Sequence, residues 1–176
     1  MNSLSEIVGQ HLPASVFVIG IGNPDRGDDG VGPYLAAGLA GGVPGVVVDG
    51  GEVPESYVGK VREAKATLVL LLDAMEAGLA PGSIVCVDAA SLTSATPVST
   101  HRVPLRLLAK YITSETGAQV FVLGIQKADS RYGSAMSPEV RRAADQLCAA
   151  LRTMLGEGEV RVSASGAPAV GQRGTR

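Results

Sequence analysis

Five short apolar runs recur along the chain: VFVIGI at 16–21, VVVD at 46–49, TLVLLLDA at 67–74, SIVCVD at 83–88 and QVFVLGI at 119–125. They are rich in β-branched residues and almost uninterrupted by polar positions, the pattern of strands buried on both faces. Helical periodicity falls between and after them, at about 30–41, 55–64 and 104–116, and most clearly at about 137–155. In that last segment Val140, Ala144, Leu147, Cys148, Leu151 and Leu155 share one face, Ser137 stands where a cap is needed and Pro138 suits the first turn. The order β-α-β-α-β-β-α-β-α predicts the α/β class: a three-layer, open, mostly parallel five-stranded twisted sheet with helices on both faces.

One connection departs from the alternation. Met75 to Gly82 is shorter than the dozen or so residues a parallel crossover needs, so strand 83–88 is expected to run antiparallel to its predecessor, at an edge of the sheet. That strand finishes at the opposite end from the others, and the Ser- and Thr-rich stretch 89–102 must carry the chain back. At about 3.3 Å per extended residue it spans the distance easily. The next helix then begins at the carboxyl ends of the first three strands, with His101 just ahead of Pro104. Residues 1–155 are read as one domain, and 156–176, rich in Gly, Ser and Ala without a helical period, as a disordered tail.

Composition narrows the function. A chain of 176 residues with 45% hydrophobic content can bury one sizeable core. A formal net charge of -2 and 3% aromatic residues offer neither a basic stripe nor stacking platforms, which argues against nucleic acid. The first twelve residues lack an apolar signal core, and the longest later apolar run, 67–72, is far too short to span a bilayer. A cytoplasmic protein without a membrane partner is expected. Cys86 and Cys148 lack CxxC spacing and read as small core hydrophobes in a reducing compartment.

The chemistry concentrates in GIGNPDRGDDG at 20–30, where Asp25, Asp28 and Asp29 precede a helix. One Asp is explained by N-capping and the helix dipole. Three within five positions, on a Gly-rich turn, exceed that need and suggest a cation site, although a purely structural trio remains open. Open α/β sheets bind ligands outside the carboxyl ends of their strands. Asp28 and Asp29 follow the first strand, Asp49 ends the second, Asp73 ends the third, and the return loop brings His101 to the same solvent-accessible rim. An Asp, Asp, His set suits Ni, Zn, Mn or Fe by ligand type. Each member also has a plainer reading: Asp49 as a turn residue before Gly50 and Gly51, Asp73 as a loop cap, His101 as a surface residue. A dinucleotide loop is excluded by spacing, because GxGxxG from Gly20 would need glycine where Asp25 stands. There is no phosphate-loop lysine motif and no GxSxG nucleophile elbow.

GNPDRGDDGVGPYLA, DGGEVPES, LVLLLDAMEAGLAPGSI, STHRVPL and VFVLGIQ, in this order and spacing, closely resemble the hydrogenase maturation proteases that process the large subunit of nickel-iron hydrogenases. The resemblance covers about Val16 to Leu155. It implies an endopeptidase that removes a short C-terminal extension from the large-subunit precursor once nickel has been inserted. It also implies that Asp29, Asp73 and His101 are the catalytic and metal-binding residues. They would contact nickel already held by the cysteines of the nickel-loaded precursor, so that the metal is a recognition signal supplied by the substrate. Other divalent metals would substitute in the isolated protein. Leu123 to Gln126 and the region from Tyr132 to Pro138 look most like the branch serving formate-hydrogenlyase or cytoplasmic multisubunit hydrogenases. Asp25 and Arg26 receive no role, and Asp28 is read as support for the loop.

Without an activated Ser or Cys, water attack is the expected route, with metal polarising the carbonyl or activating the water and Asp29 or Asp73 taking its proton. Two other classes compete. A non-catalytic nickel carrier or chaperone could use the same acids and His101. Gly-Ile-Gly-Asn-Pro also resembles the opening of peptidyl-tRNA hydrolases, but their following Tyr, Asn and His pattern and a basic surface are missing.

Overall fold

The computed structural model describes residues 15–92 and 105–156, so the expected tail beyond residue 156 lies outside the described residues. The strands are β1 (Val16–Ile21), β2 (Val46–Gly51), β3 (Leu68–Met75), β4 (Ile84–Asp88) and β5 (Gln119–Gln126). The α-helices among the described residues are α1 (Val31–Leu39), α2 (Val58–Glu63), α3 (Leu105–Thr116) and α4 (Pro138–Gly156). Short 3-10 turns at Gly27–Gly30 and Pro54–Tyr57 lead into the first two helices.

The sheet order is β2-β1-β3-β5-β4. Strands β1, β2, β3 and β5 are parallel, and β4 is antiparallel at the edge, as the short connection required. Its ladder partner is β5, with Ile84 opposite Ile125, because the chain returns after β4 to insert β5 between it and β3. From β1 the chain steps outward to β2 and then crosses back to β3 on the other side of β1. At such a switch the connections leave in opposite directions, opening a crevice beyond the carboxyl ends of the two central strands.

β3 is buried at all eight positions. Its residues alternate between faces: Leu68, Leu70, Leu72 and Ala74 pack with α1 and α4, and Val69, Leu71 and Met75 pack with α2 and α3. The same alternation turns Asp73 toward the α2 and α3 face. Two glycines let α1 approach the sheet closely, since a Cβ on Gly32 would collide with backbone of Ile21 and Leu72, and one on Gly20 with backbone of Gly32.

Three expectations need correction. The runs that form β2 and β4 are not buried on both faces, because as edge strands they are open along one side; Val46 and Ile84 are exposed. Cys86, on β4, is exposed for the same reason and is no core residue. Cys148 is half-buried against the cluster that α1 and α4 share. No helix among the described residues is long and apolar enough to cross a membrane.

Candidate functional site

Beyond Ile21 the chain turns at Gly22, whose φ of 129° and close approach to the Asp29 carbonyl leave no room for a side chain. Asn23 shapes the next step, its Oδ1 accepting the Asp25 N–H at 2.9 Å in an Asx turn. The 3-10 turn Gly27–Gly30 follows and packs against β3. Neither it nor α1 is capped by a carboxylate: the cap residues are Arg26 and Gly30, and neither makes a side-chain cap bond. The two acids of this turn, Asp28 and Asp29, therefore have other tasks, and these differ.

Asp25 is exposed, in keeping with the absence of a role assigned to it. Asp28 is fully buried and spends both oxygens on the connection between β5 and α4. Its Oδ2 accepts the N–H groups of Ala128 (2.7 Å) and Asp129 (2.8 Å) and the hydroxyl of Ser137 (2.9 Å). Its Oδ1 accepts the Ser137 N–H at 2.6 Å, and its own N–H donates to the Asp129 carbonyl at 2.8 Å. A buried carboxylate so fully satisfied is a structural clamp, as its reading as loop support anticipated.

Asp29 and Asp73 form the second arrangement. Both are buried, at 3% and 2% exposure. Asp29 Oδ2 accepts the Asn23 N–H at 3.0 Å. Asp73 Oδ2 is buried and has no hydrogen-bond partner among the described residues. Burial pushes the Asp73 carboxyl well above the usual carboxylate range, and the charge of Asp29 pushes it further; the Ala74 backbone and Lys127 only partly offset this. The expected solvent-accessible rim is thus a buried pair. The reason lies in β3, which keeps its ladder with β5 as far as Met75 opposite Gln126, two residues beyond Asp73, so that the acid sits inside the strand instead of closing it.

The remaining predicted members part company. Asp49 is exposed and its Oδ1 accepts the Gly51 N–H at 2.9 Å, the turn role left open for it, and it does not join the pair. His101 lies outside the described residues. Helix α3 begins at Leu105, four residues later, and leads into β5, parallel to β3; its first turn therefore stands at the carboxyl end of the sheet. Leu105 also shares the apolar cluster that holds Leu71 and Met75, on the face toward which Asp73 turns.

Among the described residues no group of three or more His, Cys, Asp or Glu is placed to hold a metal ion. What they do offer is a pair of buried acids in which one oxygen is unpartnered, and a cation relieves both the desolvation and the mutual repulsion of such a pair. Oxygen donors of this kind fit a hard or borderline divalent ion.

Two contributors were missed in the sequence. Gln126 is buried, its Oε1 accepting the N–H groups of Ala77 (2.8 Å) and Leu79 (3.3 Å) and its Nε2 donating to Glu76 Oε1 (3.0 Å). It fastens the connection that follows Asp73. The available signal was an amide directly after the apolar run at 120–125, where it must find buried partners. Ser137 was expected only as a cap, and its hydroxyl donates to Asp28.

Comparison with known proteins yields consistent likenesses. A family model described as HycI, hydrogenase maturation protease, matches residues 41–153, a span that contains Asp73 and His101 and begins after Asp29. The hydrogenase 3 maturation protease of Escherichia coli strain K12 is 34% identical over 140 residues, covering 78% of this chain and 89% of that protein. The crystal structure of a NiFe hydrogenase maturation protease, HycI, from Thermococcus kodakarensis KOD1 matches with a TM-score of 0.77 and 30% identity, covering 86% of this chain and 99% of that one. The solution structure of the endopeptidase HycI from Escherichia coli matches with a TM-score of 0.70 and 31% identity, over 79% and 90% of the two chains.

Proposed function

Because the chain belongs to the hydrogenase maturation protease family, we propose that it removes a C-terminal extension from the large-subunit precursor of a nickel-iron hydrogenase. On this reading the nickel arrives as part of the substrate, and Asp29, Asp73 and His101 receive it. The observation that carries the proposal is the buried, unpartnered Oδ2 of Asp73 beside the charge of Asp29. A site of this kind gains most from a partner that brings positive charge, and a precursor lacking the ion would leave two buried carboxyl groups crowded together.

Catalysis then rests on water attack at the scissile carbonyl, with the precursor's metal polarising that carbonyl or the water. Asp29 and Asp73 are the candidate bases. The Asn23 N–H fixes one oxygen of Asp29. Asp73 Oδ2 accepts no hydrogen bond from the described residues and so is the better placed to take a proton from water. Gly22 and Gly32 keep backbone close on one side, and Gln126 holds the segment after Asp73 on the other.

The direct test incubates the purified protein with nickel-loaded precursor and weighs both by mass spectrometry. Shortening of the precursor at its C-terminal end is expected. Transfer of nickel without shortening would instead identify a metal carrier and refute the protease reading.

A further inference from the structure

Resting on that reading, we infer that Tyr132, held on the connection between β5 and α4, is a docking anchor for the folded body of the large-subunit precursor. Tyr132 is the most exposed of the large hydrophobic side chains among the described residues, at 75%. An aromatic ring left in water is ordinary on a mobile loop, but this loop is fastened on both sides of it. Asp28 accepts three backbone N–H groups, from Ala128, Asp129 and Ser137, and the Ser137 hydroxyl besides. Immediately before the ring, Arg131 is held by both carboxylate oxygens of Asp129, at 2.8 to 3.0 Å. Immediately after it, the Gly133 N–H donates to the Asp25 carbonyl at 2.7 Å. Gly27, with φ of 54°, lets the loop lie against the turn: a Cβ there would meet the Asp129 carbonyl at 2.7 Å.

The consequence is a loop backbone held in place relative to Asp29, because the two residues that hold it, Asp25 and Asp28, lie in the same connection between β1 and α1 as Asp29. Rigid presentation lowers the entropy lost on association, and Tyr and Arg are the side chains that most often dominate interface energies. Val53 follows β2, Leu79 follows β3 and Ile84 opens the antiparallel β4, so these exposed apolar residues also stand toward the carboxyl end of the sheet. A protein that delivers a peptide bond to Asp29 and Asp73 has to rest on these connections. The occupant is therefore the apolar surface of the precursor beside its scissile segment.

Tyr132→Ala, Tyr132→Phe and, as an exposed aromatic on α3, Tyr111→Ala are compared with the wild-type protein. Affinity for full-length nickel-loaded precursor is read by biolayer interferometry, and processing kinetics are followed by gel. Tyr132→Ala should raise both Kd and KM about tenfold, while Tyr132→Phe stays within about threefold of wild type. Tyr111→Ala should match wild type. Unchanged Kd and KM for Tyr132→Ala would overturn the anchor while leaving the protease reading intact. A wild-type protein that binds the precursor without cutting it would refute the protease reading, and the Kd comparison would still decide the anchor. A wild-type protein that neither binds nor cuts would overturn both.

Discussion

Two neighbouring acids, Asp28 and Asp29, show how burial can serve opposite ends. Asp28 has four donors on its two oxygens, whereas Asp73, the partner of Asp29, keeps an oxygen with none. The first arrangement stabilises the fold and the second strains it. Removing Asp28 leaves buried N–H groups unmatched, so Asp28→Ala should cost about 3 kcal/mol and speed amide exchange at Ala128, Asp129 and Ser137. Chemical denaturation and hydrogen exchange check both. Asp73 has the opposite sign. Its carboxyl is raised above the ordinary value of 3.8, so the folded state holds the proton more tightly than the unfolded chain does. Below that value both states are protonated and no stability is lost. As pH rises through it the unfolded state gains by ionising first, and stability falls until the folded value is passed. Asp73→Asn should therefore melt higher than wild type at about pH 7, with the difference shrinking toward about pH 4. A variant that melts lower at every pH would show that the carboxylate is a structural support.

At the scale of elements, most of the architecture was legible because apolar run length and connection length are strong constraints. The eight-residue turn from Met75 to Gly82 forced an antiparallel β4, and the alternation of apolar runs with helical periods announced the mostly parallel α/β sheet. Leu70, fully buried on that strand, should cost about 2 to 5 kcal/mol when cut to Ala, read by urea unfolding. Less legible was how far β3 continues past Asp73. A polar residue after a hydrophobic run resembles a strand end, and only the pairing of Met75 with Gln126 reveals that the ladder goes on. The same gap explains why the acid pair was expected in solvent. The split between Asp28 and Asp29 was only partly visible, since partners near residues 128 and 137 are about a hundred positions away and no local pattern announces them. Edge position misled at Cys86: an apolar run reads alike in a central strand and in one open on one side.

For the molecule as a whole, the sheet order gathers the chemistry at one end. The switch between β1 and β3 brings Asp29 and Asp73 together, the clamped connection after β5 presents Tyr132, and α3 starts at that same end. The central claim is that the acid pair, with His101, receives nickel carried by the precursor. The most direct measurement is C-terminal shortening of nickel-loaded and nickel-free precursor, followed by mass spectrometry with wild type, Asp29→Asn, Asp73→Asn, His101→Ala and Asp25→Ala. Wild type and Asp25→Ala should cut only the nickel-loaded form, and each of the other three should lose at least about a hundredfold in rate while remaining folded. Equal cutting of nickel-free precursor by wild type, or normal cutting by Asp73→Asn, would contradict it.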